Sequence, residues 1–146
     1  MLFRSDHIGS ITDVLAAAPD ATGYAGAADI PSIPTPRPLT AVGDGDQVFD
    51  LDIIETPGHT PGHISVYDRA GGILVVGDAM NGADAIGGEA GTIAGANPRF
   101  TSDIRTADDS IRKLARLGLV NSIYFGHGEP IIGAAGDQLV EFAASI

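Results

Sequence analysis

Apolar and polar positions change their period several times along the chain. Ile11, Val14, Leu15 and Ala18 fall on one helical face, and Pro19 stops the run. Ser10 suits the N-cap, with Asp13 three residues on in capping-box position, so His7 is expected just before a helix N-terminus. Residues 23–46 hold Pro31, Pro34, Pro36 and Pro38, which forbid a regular helix or central strand. They predict an extended surface segment over a pocket mouth. From Gln47 the pattern turns to strand. VFDLDII (48–54) alternates and then becomes fully apolar, and ISVYD (64–68) and GILVVGD (72–78) read as two strands joined by a short turn. Asp78 is thereby placed at the carboxyl end of a buried strand. Residues 81–100 are small and glycine-rich without a period, which predicts a long irregular loop. A helix follows, capped by Thr106, burying Ala107, Ile111, Leu114 and Ala115, with Gly118 at C′. SIYFGHGEP (122–130) reads as a short strand entering a turn that carries His127. A last helix over about 137–145 is expected to bury Leu139, Val140, Phe142 and Ala143.

Composition narrows the classes. The 146 residues suit one domain spanning 1–146, and 44% apolar against 18% charged residues describes a globular chain. No apolar run reaches the roughly 18 residues of a membrane span. MLFRSDH lacks the apolar stretch of a secretory signal, so a cytoplasmic location is expected. With no cysteine, disulfides and thiolate metal sites are excluded. Any metal must be held by histidine and carboxylate, which suits zinc, iron or manganese. A net charge of −11 argues against nucleic acid and anionic membranes as partners, and the scattered acids read as a solubilising surface.

The candidate chemistry sits in four stretches: DHIGS (6–10), TPGHTPGH (56–63), GDAM (77–80) and GHGEP (126–130). They contain all four histidines, each at a strand end or turn, where rigid elements can hold short polar loops together. Taken singly, each has a plainer reading: an isolated histidine as a surface or core residue, Asp6 or Asp78 as a cap or turn residue. The spacings are too long for a local zinc motif such as HExxH.

The order of these stretches closely resembles the metallo-β-lactamase-fold hydrolase superfamily, in its glyoxalase II-like and lactonase-like branch, from residue 2 to the end. The resemblance implies an α/β fold, a metallo-β-lactamase-like αββα sandwich with metals at one edge. The family's upstream strands have no counterpart here, so the sandwich is expected to be incomplete at the N-terminus. Aligned through Asp6 and His7, the first two histidines of the family's HxHxDH motif fall on Leu2 and Arg4. Neither side chain can bind a dication. Carried over residue by residue, Asp6, His7 and His127 resemble ligands of the second metal position. Asp78 resembles the bridging carboxylate and His59 a ligand of the first position, while His63 is assigned a hydrogen-bonding role beneath the site. The second position keeps four donors and the first only His59 and a share of Asp78. One divalent metal is therefore expected, zinc first, with iron or manganese as alternatives. The implied activity is hydrolysis of a small ester, lactone or thioester through a metal-bound hydroxide, with Asp6 passing a proton to the leaving group. Arg37 and Arg99 are candidate anion contacts, but a solvated surface role is the expected one for each. The alternative is a catalytically impaired remnant that binds at most one metal or pairs with another chain. An open sheet edge would then favour a homodimer.

Overall fold

The computed structural model describes residues 5–146, with side chains from His7 onward. Leu2, Arg4 and the side chain of Asp6 lie outside the described residues. The described residues open with two short helices, α1 (Ser5–Ile8) and α2 (Ile11–Ala17); His7 lies just ahead of α2, as expected, and is itself in the single turn of α1. In α2 the Ser10 carbonyl accepts the Val14 N–H, but the serine side chain makes no cap bond. Of the expected apolar stripe only Leu15 is buried, and Val14 is exposed. Arg37 corrects a second expectation. Its guanidinium donates to the carbonyls of Leu15 (2.7 Å), Ala18 (3.0 Å) and Pro19, capping the orphaned end of α2 instead of standing in solvent.

The proline-rich segment folds back on itself. β1 (Tyr24–Gly26) and β2 (Thr40–Val42) pair in parallel around a 3-10 turn at Ile30–Ser32. Residues 48–54 are not one strand. β3 (Gln47–Val48) and β4 (Leu51–Glu55) form a hairpin, with Phe49 and Asp50 both at positive φ, 53° and 68°. Two positive φ values in a two-residue loop match the right-handed twist of the flanking strands. β5 (Ile64–Asp68) and β6 (Ile73–Gly77) follow as expected. The region expected to be an irregular loop instead contains an antiparallel pair, β7 (Met80–Gly82) and β8 (Ile93–Gly95), and a 3-10 turn at Ala83–Ile86. Strands of three residues are too short to print a period in the sequence.

α3 (Ile104–Leu114) is capped by Asp103, whose Oδ1 accepts the Thr106 N–H at 3.1 Å; Thr106 is a donor there and not the cap. The helix ends at Leu114, well short of Gly118. β9 (Ser122–Phe125), β10 (Ile131–Ile132) and α4 (Ala135–Ser145) complete the chain. In α4, Leu139 and Ala143 are buried and Phe142 partly so, but Val140 faces solvent.

The main sheet runs β10-β9-β6-β5-β4-β3, antiparallel except for the β6–β9 pair. Its inner face carries Ile54, Tyr67, Leu74, Val76, Ile123 and Ile131, packed with Ile111 and Leu114 of α3 and Leu139 of α4. This apolar burial is the main force holding the layers together. It fixes β6 and β9 side by side, and their carboxyl ends deliver Asp78 and His127 to one place.

Candidate metal centre

Asp78 leaves β6 through Gly77, whose φ of 53° bends the chain where a Cβ would approach His63 Nε2 to 2.9 Å. The aspartate is only 5% exposed. Its Oδ2 lies 3.3 Å from His7 Nε2, 3.5 Å from His59 Nε2 and 3.6 Å from His127 Nε2. His7 Nε2 and His127 Nε2 are 3.2 Å apart, with their rings edge to face. His7, Asp78 and His127 thus form a triangle with sides of 3.2, 3.3 and 3.6 Å. Bonds near 2.1 Å to a tetrahedral dication would separate its ligand atoms by about 3.4 Å. Among the described residues the buried Asp78 Oδ1 has no hydrogen-bond partner. A buried acceptor without a donor is costly unless something else satisfies it. Three converging N/O donors and one unsatisfied carboxylate oxygen fit a divalent metal.

His59 reaches Asp78 but stands outside that three-residue group. Thr101 gives its hydroxyl proton to the Asn97 carbonyl (2.8 Å). Its oxygen is left to accept from His59 Nδ1 at 3.4 Å, which turns Nε2 and its lone pair toward Asp78. His63 lies beneath. The Asp78 N–H donates to His63 Nε2 (3.3 Å), so the ring proton sits on Nδ1 and is donated to Thr56 Oγ1 (2.8 Å), itself bonded to Ser65. Burial, reinforced by the neighbouring His59 imidazole, pushes the His63 pKa down to about 4, so the ring is neutral near pH 7.

The turn bearing His59 and His63 is held from two sides. The Gly58 and His59 carbonyls accept from Asp103 N–H (2.9 Å) and from the N–H and hydroxyl of Ser102 (3.2 and 3.0 Å). On the other side Asp29 accepts from Thr60 Oγ1 and from the Gly62 N–H at 2.8 Å. Gly126 allows the β9–β10 turn to cross Asp78, since a Cβ there would lie 2.3 Å from Oδ1.

An open cleft of about 380 Å³ adjoins the cluster, lined by His59, Asp78, Asn81, Ile86, Phe100 and His127 among others. Asn81, Ile86, Asn97 and Phe100 were not singled out in the sequence, because their region shows no period and no motif. Arg99 is exposed, its guanidinium 5.8 Å from the centre of the Phe100 ring.

The family pattern of the metallo-beta-lactamase superfamily matches residues 5–127, from α1 to the histidine of the β9–β10 turn. The chain belongs to the metallo-beta-lactamase superfamily. Within it, the chain is 42% identical over 86 residues to the probable metallo-hydrolase YflN of Bacillus subtilis, covering 55% of this chain and 32% of that protein. It is 32% identical over 129 residues to a hydroxyacylglutathione hydrolase of Aeromonas salmonicida, covering 85% and 44%. The chain therefore spans less than half the length of these curated relatives. In structure it resembles TTHA1623, solved in a di-iron-bound form, with a TM-score of 0.69 and 23% identity over 86% of this chain and 66% of that one. That likeness establishes the metallo-beta-lactamase fold. Among the described residues no helix is long and apolar enough to cross a membrane.

Proposed function

We propose that this chain is a metal-dependent hydrolase of small esters, lactones or thioesters, working with one divalent metal, zinc first, held by His7, Asp78 and His127. The convergence of these three side chains on one point, beside the unsatisfied Asp78 Oδ1, carries the reading. A bound dication supplies Lewis acidity, acidifying water and polarising an acyl carbonyl. The chain's own residues do the rest. His63 and the β6 bend orient Asp78, and Thr101 orients His59 beside it. Phe100 and Ile86 give the cleft an apolar wall for an acyl chain, while Asn81 and Asn97 bring polar groups to it. Asp6 is the residue that family resemblance assigns to proton transfer, and Asp6→Asn is expected to lower kcat more than it raises KM. Two relatives named as a metallo-hydrolase and a hydroxyacylglutathione hydrolase support the acyl-hydrolase class.

Elemental analysis of protein purified without added metal tests this reading. About one zinc, iron or manganese per chain is expected, lost in Asp78→Ala, with hydrolysis of an ester, lactone or thioester lost alongside it. A parent protein that takes up no metal even after reconstitution would overturn it. A second reading, a chain that pairs with another chain, is favoured by apolar side chains exposed on the outer face of the main sheet: Ile73, Val75, Tyr124 and Ile132.

A further inference from the structure

We infer that Asp84, which is not among the metal-site donors, is a positioning residue that aims His127 and ties that aim to the wall of the substrate cleft. The inference rests on the metal-centre reading above. Asp84 lies on the 3-10 turn Ala83–Ile86, directly after β7. Its two carboxylate oxygens accept the backbone N–H of Glu129 at 3.0 and 3.2 Å. On the near side of the same loop the Gly82 N–H donates to the His127 carbonyl at 3.0 Å. The backbone is therefore pinned at His127 itself and again two residues later. Between the pins, Gly128 adopts a φ of +97°, and a Cβ there would lie 2.7 Å from Gly82 Cα and 2.9 Å from Asp84 Oδ1. The loop is pressed against the element that holds it.

These two pins follow the His127 Cα, and before it the Gly126 N–H donates to the Gly77 carbonyl at 2.8 Å, so together they fix the direction of the His127 Cα–Cβ bond. That direction matters because Nε2 must meet His7 and Asp78 at 3.2 and 3.6 Å. Groups that orient a ligand in this way set metal affinity without touching the metal. The same 3-10 turn presents Ala85 and Ile86 to the cleft that His127 also lines. One short element thus shapes the substrate wall and holds the ligand loop, so an acyl group seated against Ile86 bears on the support of His127.

The test compares wild type, Asp84→Ala and Asp84→Asn by Co²⁺ titration, by amide exchange at Glu129 in metal-free protein, and by urea unfolding. Asp84→Ala is expected to speed exchange at Glu129 and to weaken Co²⁺ binding by about 10–100-fold. Asp84→Asn, keeping one acceptor oxygen, is expected to fall between the two. A purely structural role would lower the urea midpoint and leave Co²⁺ affinity at the wild-type value; that result overturns the inference. If the alanine variant does not fold, the asparagine variant decides: reduced affinity supports the inference and wild-type affinity overturns it. A wild type that binds no Co²⁺ overturns the metal reading instead. In that case, unchanged Glu129 exchange in the variants also refutes the hold on the loop, and faster exchange supports it.

Discussion

The backbone N–H of Asp78 determines the tautomer of His63, and through it the Thr56 and Ser65 hydroxyls become one chain of donors and acceptors under the site. Removing the ring takes the acceptor from that N–H and one of two partners from the Thr56 hydroxyl, which keeps Ser65, while sparing His7, Asp78 and His127. His63→Ala is therefore expected to keep the metal stoichiometry and weaken affinity by about 10–100-fold, as read by isothermal titration. The residues around this position were legible in the sequence for a physical reason. A carboxylate or imidazole that must meet others at a strand end needs glycine beside it, and those glycines make short, recognisable runs around residues 58, 77 and 126. Asn81, Phe100 and the helix-capping Arg37 carried no such mark. Their roles depend on partners far along the chain, and nothing local at position 37 announces the carbonyls of Leu15 and Ala18.

Among the elements, α3 shows how a turn, a cap and a ligand loop share residues. Asp103 caps the helix with its carboxylate while its own N–H holds Gly58. The bond from the Thr106 N–H keeps the Asp103 carboxyl below the usual carboxylate range. A depressed pKa means that the folded state releases this proton more readily than the unfolded chain. The stability it adds is complete above the unfolded value near ~4 and disappears as pH falls through the lower folded value. Asp103→Asn keeps the cap geometry without the titration. Its urea midpoint is thus expected to fall less than that of wild type between about pH 5 and pH 3. The misread elements were short. The β3–β4 hairpin turns on Phe49–Asp50, which lacks the Asn-Gly or Asp-Gly signal of such loops, and one apolar run was read where two strands stand. β5, β6, α3 and α4, with enough repeats to set a period, were read close to their observed places.

For the whole molecule, the main sheet has two unlike faces. The inner one is sealed by α3 and α4. On the outer one Ile53, Val66, Val75 and Tyr124 form a row across four paired strands, and its β6 and β9 members are exposed. The exposed end of this row, Val75 and Tyr124, favours association. Sedimentation is expected to show concentration-dependent self-association that Val75→Lys reduces, with little change in metal uptake. The site itself has a consequence for how the chain reaches its final form. His7 and His127 are 120 residues apart, and Asp78 comes from the middle of the sheet. No short segment of the chain holds the full set, and closing so long a loop is among the slow, topology-limited events of folding. On the proposed metal-centre reading, metal capture is therefore expected to be a late step. A Co²⁺ signal followed during refolding should rise only with the last phase, and added metal should raise the unfolding midpoint in proportion to the logarithm of its free concentration.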